Sequence, residues 1–286
     1  MERRTLGRTG QELSIVGLGG VVFVGLTQSQ SDKIVAEAVS RGVNYFDVAP
    51  SYGNEQETET RLGPALKPYR DKAFLACKTG QRTKAGAAAE LHRSLRHLQT
   101  DHVDLYQLHA ITTVEEVETA FGPDGAMETF VEAQQAGLVR HIGFSAHSVE
   151  AALLAMEKFD FASALFPINF VTYYQGDFGP QIIARAQEKG VARLALKSMA
   201  RTNWAEGAER PYPHCWYQPL SDAHMAELAL RFTLSLPVTA AVPPGDPRLF
   251  RLAMDLAENF RPIAPEEITE LRAYAQPLQP IFKAAA

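Results

Sequence analysis

The chain has 286 residues, of which 46% are hydrophobic and 21% are charged, and its formal net charge is −5. These values are typical of a soluble globular protein with a large core. The sequence has no long run of Lys and Arg, which argues against nucleic-acid binding because that activity needs clustered cations to neutralise phosphates.

Membrane and metal-binding classes also fit the sequence poorly. The apolar stretch 13–26 is too short and too rich in glycine to span a bilayer, and residues 1–12 do not resemble a signal peptide. The chain contains two cysteines, Cys77 and Cys215, which exclude a disulfide framework and a cysteine zinc site. We therefore expect a cytoplasmic protein with no metal site and no membrane partner; the oligomeric state cannot be read from the sequence.

In chain order, residues 3–14 are predicted to form a hairpin with Gly7 and Gly10 at its bends. Short runs that are apolar on both faces then alternate with helical periodicity, as in parallel βα units. The predicted strands are 14–19, 43–49, 73–79, 103–110, 139–145, 163–169, 191–197 and 238–243. The clearest predicted helices are 31–42, 85–99, 150–159 and 222–235, and residues 201–221 are predicted to form a long loop.

Eight strands alternating with about eight helices predict an α/β fold, a (β/α)8 TIM barrel whose N-terminal β-hairpin closes the bottom of the barrel. No linker divides the chain, so residues 1–286 are expected to form a single domain. The main alternative is a doubly wound open sheet, which would require a phosphate-binding glycine fingerprint after its first strand. The segment "GLGGVVFVG" is only a loose version of that fingerprint.

Reactive side chains follow three successive predicted strands. Asp47 and Tyr52 follow the second, Lys78 ends the third and His109 ends the fourth. In a barrel, these carboxyl ends meet at one mouth. Each residue alone has a structural explanation, such as a turn cap or a core hydrogen bond, but their grouping predicts an active site.

The chemistry of these four groups suits reduction of a carbonyl. A phenol has a pKa of ~10 and holds its proton at neutral pH. We expect the Lys78 ammonium to lower the pKa of Tyr52 and make it a better proton donor, with Asp47 as the counter-charge. His109 is expected to hydrogen-bond the substrate oxygen.

The chain resembles the aldo-keto reductase superfamily over nearly its whole length. The similarity lies in "RTLGRTG", "NYFDVAPSYGNEQETE", "CKTG", "DLYQLHA" and "IGFS", in this order. The resemblance implies a TIM barrel, a bound NADPH or NADH, and catalysis by Asp47, Tyr52, Lys78 and His109. By this similarity Tyr52 is the general acid, Lys78 and Asp47 tune it, and His109 orients the carbonyl oxygen.

The resemblance also implies the cofactor contacts, although several positions depart from the family pattern. Ser145 matches the serine that contacts the nicotinamide carboxamide, but Ala146 replaces the Asn that usually follows it. The Gln that is usual on the sixth strand has no counterpart here, and Asn169 is the nearest residue with a side-chain amide. Leu196 or Lys197 stands where many relatives have a stacking Tyr. The full set of expected cofactor residues is Gly20, Val21, Asp47, Ser145, Lys197, Ser198, Arg201, Gly245, Asp246, Arg251 and Asp255.

Within that set, Lys197, Ser198 and Arg201 are expected at the pyrophosphate. Gly245 and Asp246 begin a segment similar to the family's adenosine-phosphate loop, where helix N–H groups bind phosphate. Arg251 occupies the basic position and predicts a preference for NADPH, with NADH also possible. For Arg201 and Arg248, plain surface charge is an equally good explanation.

The expected partner is a small-molecule carbonyl compound of unidentified structure. Predicted substrate residues are Phe23, Tyr52, His109, Trp204 and Trp216. The aromatic side chains, including Tyr212 and Tyr217, are either a substrate wall or packing within a loop. The alternative to the reductase is a redox-sensing nicotinamide-binding module or accessory subunit with little turnover. A lyase or epimerase barrel would more often show metal ligands or a phosphate site at the late strands, and no such cluster is evident.

Overall fold

The computed structural model describes residues 1–54 and 57–284; Glu55 and Gln56 of the "NYFDVAPSYGNEQETE" motif and the last two residues of the expected domain 1–286 lie outside this range. Its strands are β1 Arg3–Thr5, β2 Glu12–Ser14, β3 Leu18–Gly19, β4 Tyr45–Asp47, β5 Phe74–Thr79, β6 Val103–Ile111, β7 Val139–Ala146, β8 Ser163–Pro167, β9 Ala192–Leu196, β10 Ala200–Asn203, β11 Tyr217–Pro219 and β12 Ala240–Val242.

Helices connect the parallel strands and cover the outside of the sheet. They are α1 Gln28–Ser40, α2 Glu57–Leu66, α3 Lys84–His97, α4 Val114–Phe121, α5 Ala126–Gln135, α6 Val149–Lys158, α7 Phe170–Gln175, α8 Pro180–Glu188, α9 Ala223–Ser235, α10 Pro247–Glu258 and α11 Pro265–Ala275. Short 3₁₀ turns span Gly20–Phe23 and Lys67–Lys72.

The eight-stranded sheet is a closed barrel. Its order is β3-β4-β5-β6-β7-β8-β9-β12, with every pairing parallel. The two ends of the sheet meet where Val16 forms a parallel bridge with Ala241 and the Gly17 N–H donates to the Ala241 carbonyl at 3.0 Å. The predicted TIM barrel is confirmed.

The β1–β2 hairpin seals the end of the barrel opposite the carboxyl ends of the strands. Leu6 and Leu13 are fully buried in one cluster with the inward-facing side chains of Tyr45, Phe74, Leu105, Leu165, Leu194 and Ala240. Gly7 has a φ of +53°, and a Cβ there would lie 2.8 Å from the Gly190 carbonyl oxygen. The tight turn against the barrel therefore requires glycine at this position.

Local signals in the sequence determine where the helices begin and end. The hydroxyls of Thr27, Thr83, Thr113 and Ser148 each accept a backbone N–H in the first turn of the helix that follows. Gly42, Gly137 and Gly190 have φ between +66° and +86°, and each follows the end of a helix. These helix ends determine where the strand after each helix begins. They therefore also determine which residue of that strand lies at the mouth of the barrel.

The predicted long loop at 201–221 differs from the structure, because its two ends pair. β10 and β11 form an antiparallel ribbon in which Ala200 lies opposite Pro219. The segment between them crosses the mouth of the barrel, where His214 approaches Gly25 and the Arg248 guanidinium lies 4.6 Å from the ring centre of Tyr212. Within residues 1–54 and 57–284, no helix is long and apolar enough to cross a membrane.

Candidate active site

A cavity of about 270 Å³ opens at the carboxyl ends of the barrel strands. Asp47, Tyr52, Lys78 and His109 all line it, so the structure brings the four predicted catalytic residues into one wall. The other lining residues are Gly19, Val21, Ser145, His147, Leu196, Lys197, His214, Cys215, Trp216, Tyr217, Val242, Pro243 and Gly245.

The fully buried ammonium of Lys78 is the centre of this wall. It donates hydrogen bonds to the Asp47 carboxylate, to the Val48 carbonyl at 3.2 Å and to the phenol oxygen of Tyr52 at 3.3 Å. Burial opposes the charge on Lys78, but the carboxylate and the phenol outweigh this effect and raise its pKa. Lys78 is therefore a permanent cation that contacts the Tyr52 oxygen.

Two residues that the sequence reasoning missed hold the other Asp47 oxygen. The Gln107 amide donates to it at 3.1 Å, and the Tyr45 hydroxyl donates at 3.4 Å. Gln107 lies two positions before His109, and Tyr45 lies two positions before Asp47, so each faces the same side of its strand as a predicted catalytic residue. A polar amide inside the buried strand "DLYQLHA" was the available signal.

The net effect on Tyr52 corrects the expectation that its pKa is lowered. Burial of the phenol is the largest influence and raises the pKa; Lys78 lowers it, and Asp47 raises it again. The result is a pKa above the ordinary value for tyrosine. The sequence reasoning counted the ammonium but not the desolvation, which only burial in the folded protein reveals. Tyr52 holds its proton throughout the neutral range.

His109 is a neutral imidazole beside the phenol. Its ring centre is 5.6 Å from that of Tyr52 with the planes at 82°, and its Nδ1 lies 3.4 Å from the Ser51 hydroxyl. Burial, and then the charge of Lys78, hold the pKa of His109 well below its usual range. On the backbone side, the Arg82 guanidinium donates to the His109 carbonyl at 2.6 Å. The ring is thus fixed in place and available as a neutral hydrogen-bonding group.

Lys197 is a second buried lysine on the cavity wall. Its Nζ lies 3.4 Å from His147 Nε2, 5.7 Å from the ring centre of Trp216 and 5.4 Å from that of Phe282. Burial, followed by the charge of Lys78, lowers the pKa of Lys197 to about 7. Sequence reasoning placed Lys197 among the cofactor contacts, but its shifted pKa depends on the neighbours that the fold supplies.

Five of the eleven expected cofactor residues line the cavity: Val21, Asp47, Ser145, Lys197 and Gly245. The Ser145 hydroxyl accepts the Ala110 N–H at 2.7 Å, which fixes its position at the wall. Gly245 packs so tightly on Val21 that a Cβ would clash with that side chain. Gly20, Ser198 and Asp246 are not among the lining residues; the buried Ser198 hydroxyl has no partner in the described part of the chain.

Arg201 and Asn169 have structural partners of their own. Arg201 donates to the Tyr274 hydroxyl at 3.0 Å and to Gln218 at 2.6 Å. Asn169 caps α7 by accepting the Thr172 N–H at 2.9 Å, while its amide nitrogen is buried without a partner among the residues described. Neither side chain lines the cavity.

The expected adenosine-phosphate residues lie away from this cavity and have partners too. Arg251 forms an ion pair with Glu37 of α1 at 2.9 Å, and Asp255 pairs with Arg41 at 2.7 Å. The side chain of Arg251 is 45% exposed, so the pair is accessible to solvent ions. Arg248 binds the carboxylate of Asp246, at the N-cap of α10, at 2.9 Å.

The expected substrate residues separate into two groups. Tyr52, His109 and Trp216 line the cavity, as does Tyr217, and Trp216 is the large apolar side chain with the greatest exposure among the described residues, at 50%. Phe23 is fully buried in the main hydrophobic core. Trp204 donates its indole N–H to the Cys215 carbonyl at 2.7 Å and is absent from the cavity lining. In the described chain, no group of three His, Cys, Asp or Glu side chains is placed to hold a metal ion.

Comparisons with known proteins identify the family of this chain. The model of the aldo/keto reductase family matches residues 16–274. An uncharacterised oxidoreductase, YqkF of Bacillus subtilis (strain 168), is 26% identical over an alignment 313 positions long, which covers 99% of each chain. The aldo-keto reductase YhdN of the same organism is 28% identical over 222 residues, covering 70% of this chain and 63% of its own.

The fold is shared with solved structures of the same kind. The holo form of aldo-keto reductase AKR11C1 from Bacillus halodurans superimposes with a TM-score of 0.77 at 24% identity, covering 100% of this chain and 98% of its own. The match of the family model to nearly the whole barrel, with the four strand-end residues in one cavity, leads to one conclusion. This chain is an oxidoreductase of the aldo/keto reductase family.

Proposed function

We propose that this protein reduces aldehydes or ketones to alcohols with a hydride from NADPH or NADH, and that Tyr52 supplies the proton. The observation that carries the proposal is the contact of the buried Lys78 ammonium with both the Asp47 carboxylate and the Tyr52 phenol on the wall of the mouth cavity. This arrangement presents a protonated acid beside a fixed positive charge.

The four side chains have distinct roles in the proposal. Tyr52 donates its proton to the carbonyl oxygen as that oxygen gains negative charge, and the adjacent Lys78 stabilises the phenolate that remains. Asp47 keeps Lys78 charged, and Gln107 and Tyr45 hold Asp47 in position. The neutral His109 hydrogen-bonds the substrate oxygen and orients it toward the phenol.

The donor set around the cavity fits a nicotinamide cofactor, which supplies the hydride when bound. Val21, Leu196 and Val242 provide apolar surface for a planar ring, and the Ser145 hydroxyl suits a carboxamide. Arg251 is proposed to favour NADPH by binding the 2′-phosphate with charge-assisted hydrogen bonds. Glu37 already binds Arg251 and competes with that phosphate, so the expected preference is moderate.

The test is a panel of aldehydes and ketones assayed with NADPH and with NADH, following the loss of reduced-cofactor absorbance. The proposal is supported if turnover is at least a hundredfold slower in Tyr52→Phe than in the wild type. Fluorescence titration should show that both proteins still bind the cofactor. Saturable cofactor binding with no turnover of any carbonyl would instead favour a redox-sensing module. The absence of cofactor binding would refute both.

A further inference from the structure

The environment of Lys197 is unusual for a buried cation. The residue is 9% exposed, and within residues 1–54 and 57–284 no carboxylate lies within 4.0 Å of its nitrogen. A buried ammonium without a counter-charge is costly, and proteins normally pair such groups. Here its close neighbours are the aromatic faces of Trp216 and Phe282 and the neutral ring of His147.

These neighbours stabilise the charge only in part. Two aromatic faces at 5.7 Å and 5.4 Å attract a cation through their quadrupoles. The His147 ring stacks on Phe282, with centres 4.8 Å apart. Burial lowers the pKa of His147 to about 3, so this ring is neutral and does not repel the ammonium. No negative group compensates the ammonium in the part of the chain that the structure describes.

The backbone of Lys197 indicates that this position is imposed by its surroundings. Its φ is +63°, a backbone conformation that residues other than glycine rarely adopt. Such strain persists where packing over-determines it, and it occurs often at ligand sites. The neighbouring Leu196 accepts the Ile168 N–H at 3.0 Å, and the Lys197 carbonyl accepts the Ala200 N–H at 2.9 Å, which hold the bend.

We propose that the Lys197 ammonium binds an anionic group on the carbonyl substrate, so that the enzyme acts on aldehydes or ketones that carry a carboxylate. The assignment rests on the proposed reductase function. Lys197 lines the same cavity as Tyr52 and His109, and it is close enough to His109 for its charge to lower the pKa of that ring. A carboxylate on Lys197 and a carbonyl on Tyr52 are thus placed within one pocket.

The cofactor diphosphate is the other anion that suits this lysine. The aromatic neighbours favour the substrate, because Trp216 and Phe282 both lie near the ammonium and Trp216, which is half exposed, lines the same cavity as Tyr52 and His109. The experiment therefore measures aldehyde preference and cofactor affinity separately.

The assay compares 4-carboxybenzaldehyde with 4-methylbenzaldehyde, and succinate semialdehyde with butanal. The measured quantity is the ratio of kcat/KM for the carboxylated member of each pair to that of its uncharged partner. We expect a wild-type ratio above one that falls about 10- to 100-fold in Lys197→Met, since a charge-assisted hydrogen bond contributes a factor of that size. Lys283→Met is the matched control, because it removes an exposed lysine that follows Phe282 in the chain and does not line the cavity.

A pH series supplies a readout that a structural role for Lys197 would not produce. An ammonium is present below its pKa and is lost as the pH rises through it, and kcat/KM reports the free enzyme. With a pKa of about 7, the wild-type ratio should fall between pH 7 and pH 9. Lys197→Arg should keep its ratio over this range, because a guanidinium stays charged.

Other titratable groups face the same cavity, so the pH series has to be separated from their titration. They are Asp47, Tyr52, Lys78, His109, His147, His214, Cys215 and Tyr217. The raised pKa values of Tyr52 and Lys78 and the lowered values of His109 and His147 keep these four in one protonation state between pH 7 and pH 9. His214→Gln tests whether that imidazole contributes to the pH response, and a response that disappears in this variant would overturn the assignment.

The outcomes separate this proposal from the proposed function. A wild-type ratio at or below one overturns the carboxylate site. A ratio that persists in Lys197→Met while the Kd for NADPH rises tenfold assigns the lysine to the diphosphate instead. If no aldehyde is reduced, the proposed reductase function is wrong. Calorimetric titrations with benzoate and benzamide then test the carboxylate site by itself. Binding of benzoate but not benzamide, lost in Lys197→Met, upholds the site, and equal binding refutes it.

Discussion

The Lys78 ammonium lies 3.3 Å from the Tyr52 phenol oxygen and simultaneously forms a buried ion pair with Asp47. The lysine is thus held by one partner and directed at the other. Burial raises the pKa of Tyr52 more than Lys78 lowers it, so the free site holds a protonated phenol beside a cation. In the proposed reduction, this phenol would give up its proton as negative charge develops on the carbonyl oxygen of the substrate.

Removal of the Tyr52 hydroxyl should abolish most of the carbonyl reduction. General acid catalysis contributes about 10²- to 10⁴-fold, and we expect kcat to fall by that factor in Tyr52→Phe. Phenylalanine keeps the ring that packs edge-on to His109. Single-turnover kinetics with saturating cofactor measures the effect, and a wild-type rate would show that another group supplies the proton.

Removal of the Lys78 charge should lower the stability of the folded protein. Lys78→Met leaves the Asp47 carboxylate buried without its cation, which costs about 3–5 kcal/mol of unfolding free energy. The double variant Lys78→Met with Asp47→Asn should recover part of that loss, because no buried charge is left unpaired. Urea denaturation of the four proteins measures the coupling; additive losses would mean that the pair contributes little.

The pH dependence of reduction should be flat near neutrality for uncharged aldehydes. The acid form of Tyr52 is present below its raised pKa and is lost only as the pH rises beyond the ordinary tyrosine value. The lowered pKa of His109 keeps that ring neutral at and above its usual titration range. We therefore expect kcat for 4-methylbenzaldehyde to be constant from pH 7 to pH 9. An inflection in this window would identify a different titrating group at the reaction centre.

Cofactor choice should respond to Arg251 and Glu37 in opposite directions. Arg251→Ala should weaken NADPH binding about tenfold with little change for NADH, since the two cofactors differ at the 2′-phosphate. Glu37→Gln should strengthen NADPH binding up to ~5-fold, because an exposed ion pair of about 0.2–1 kcal/mol no longer competes. Dissociation constants for both cofactors in the three proteins provide the comparison. Equal losses for NADPH and NADH in Arg251→Ala would exclude this arginine as the discriminator.

Gln107 is a positioning residue whose importance follows from its contact with Asp47. Gln107→Met removes the amide donor at 3.1 Å while keeping similar volume, and it should lower unfolding free energy by ~1–3 kcal/mol. We expect kcat to fall with KM nearly constant, because the amide supports the charge pair rather than the substrate. Gln107→Glu places a second carboxylate beside Asp47 and should be worse than Met in both measurements.

The barrel and the four groups at its mouth follow from local patterns in the amino-acid sequence. Strands that are apolar on both faces alternate with helices, and this pattern has few solutions other than a parallel barrel. Because side chains at the carboxyl ends of such strands converge, Asp47, Tyr52, Lys78 and His109 were predictable from local position alone. Thr27 and Gly42 set the ends of α1 through chemistry that is equally local.

The pairing of these groups and the charge that they carry depend on the folded arrangement of distant elements. Arg251 contacts Glu37 across 214 positions of the chain, and the contact exists only because α10 lies beside α1 when the barrel closes. The raised pKa of Tyr52 and the lowered pKa of Lys197 come mainly from burial, a property of the folded surroundings and not of residue type. Sequence patterns report which side chains reach the mouth, whereas desolvation and partners from distant elements determine what those side chains do there.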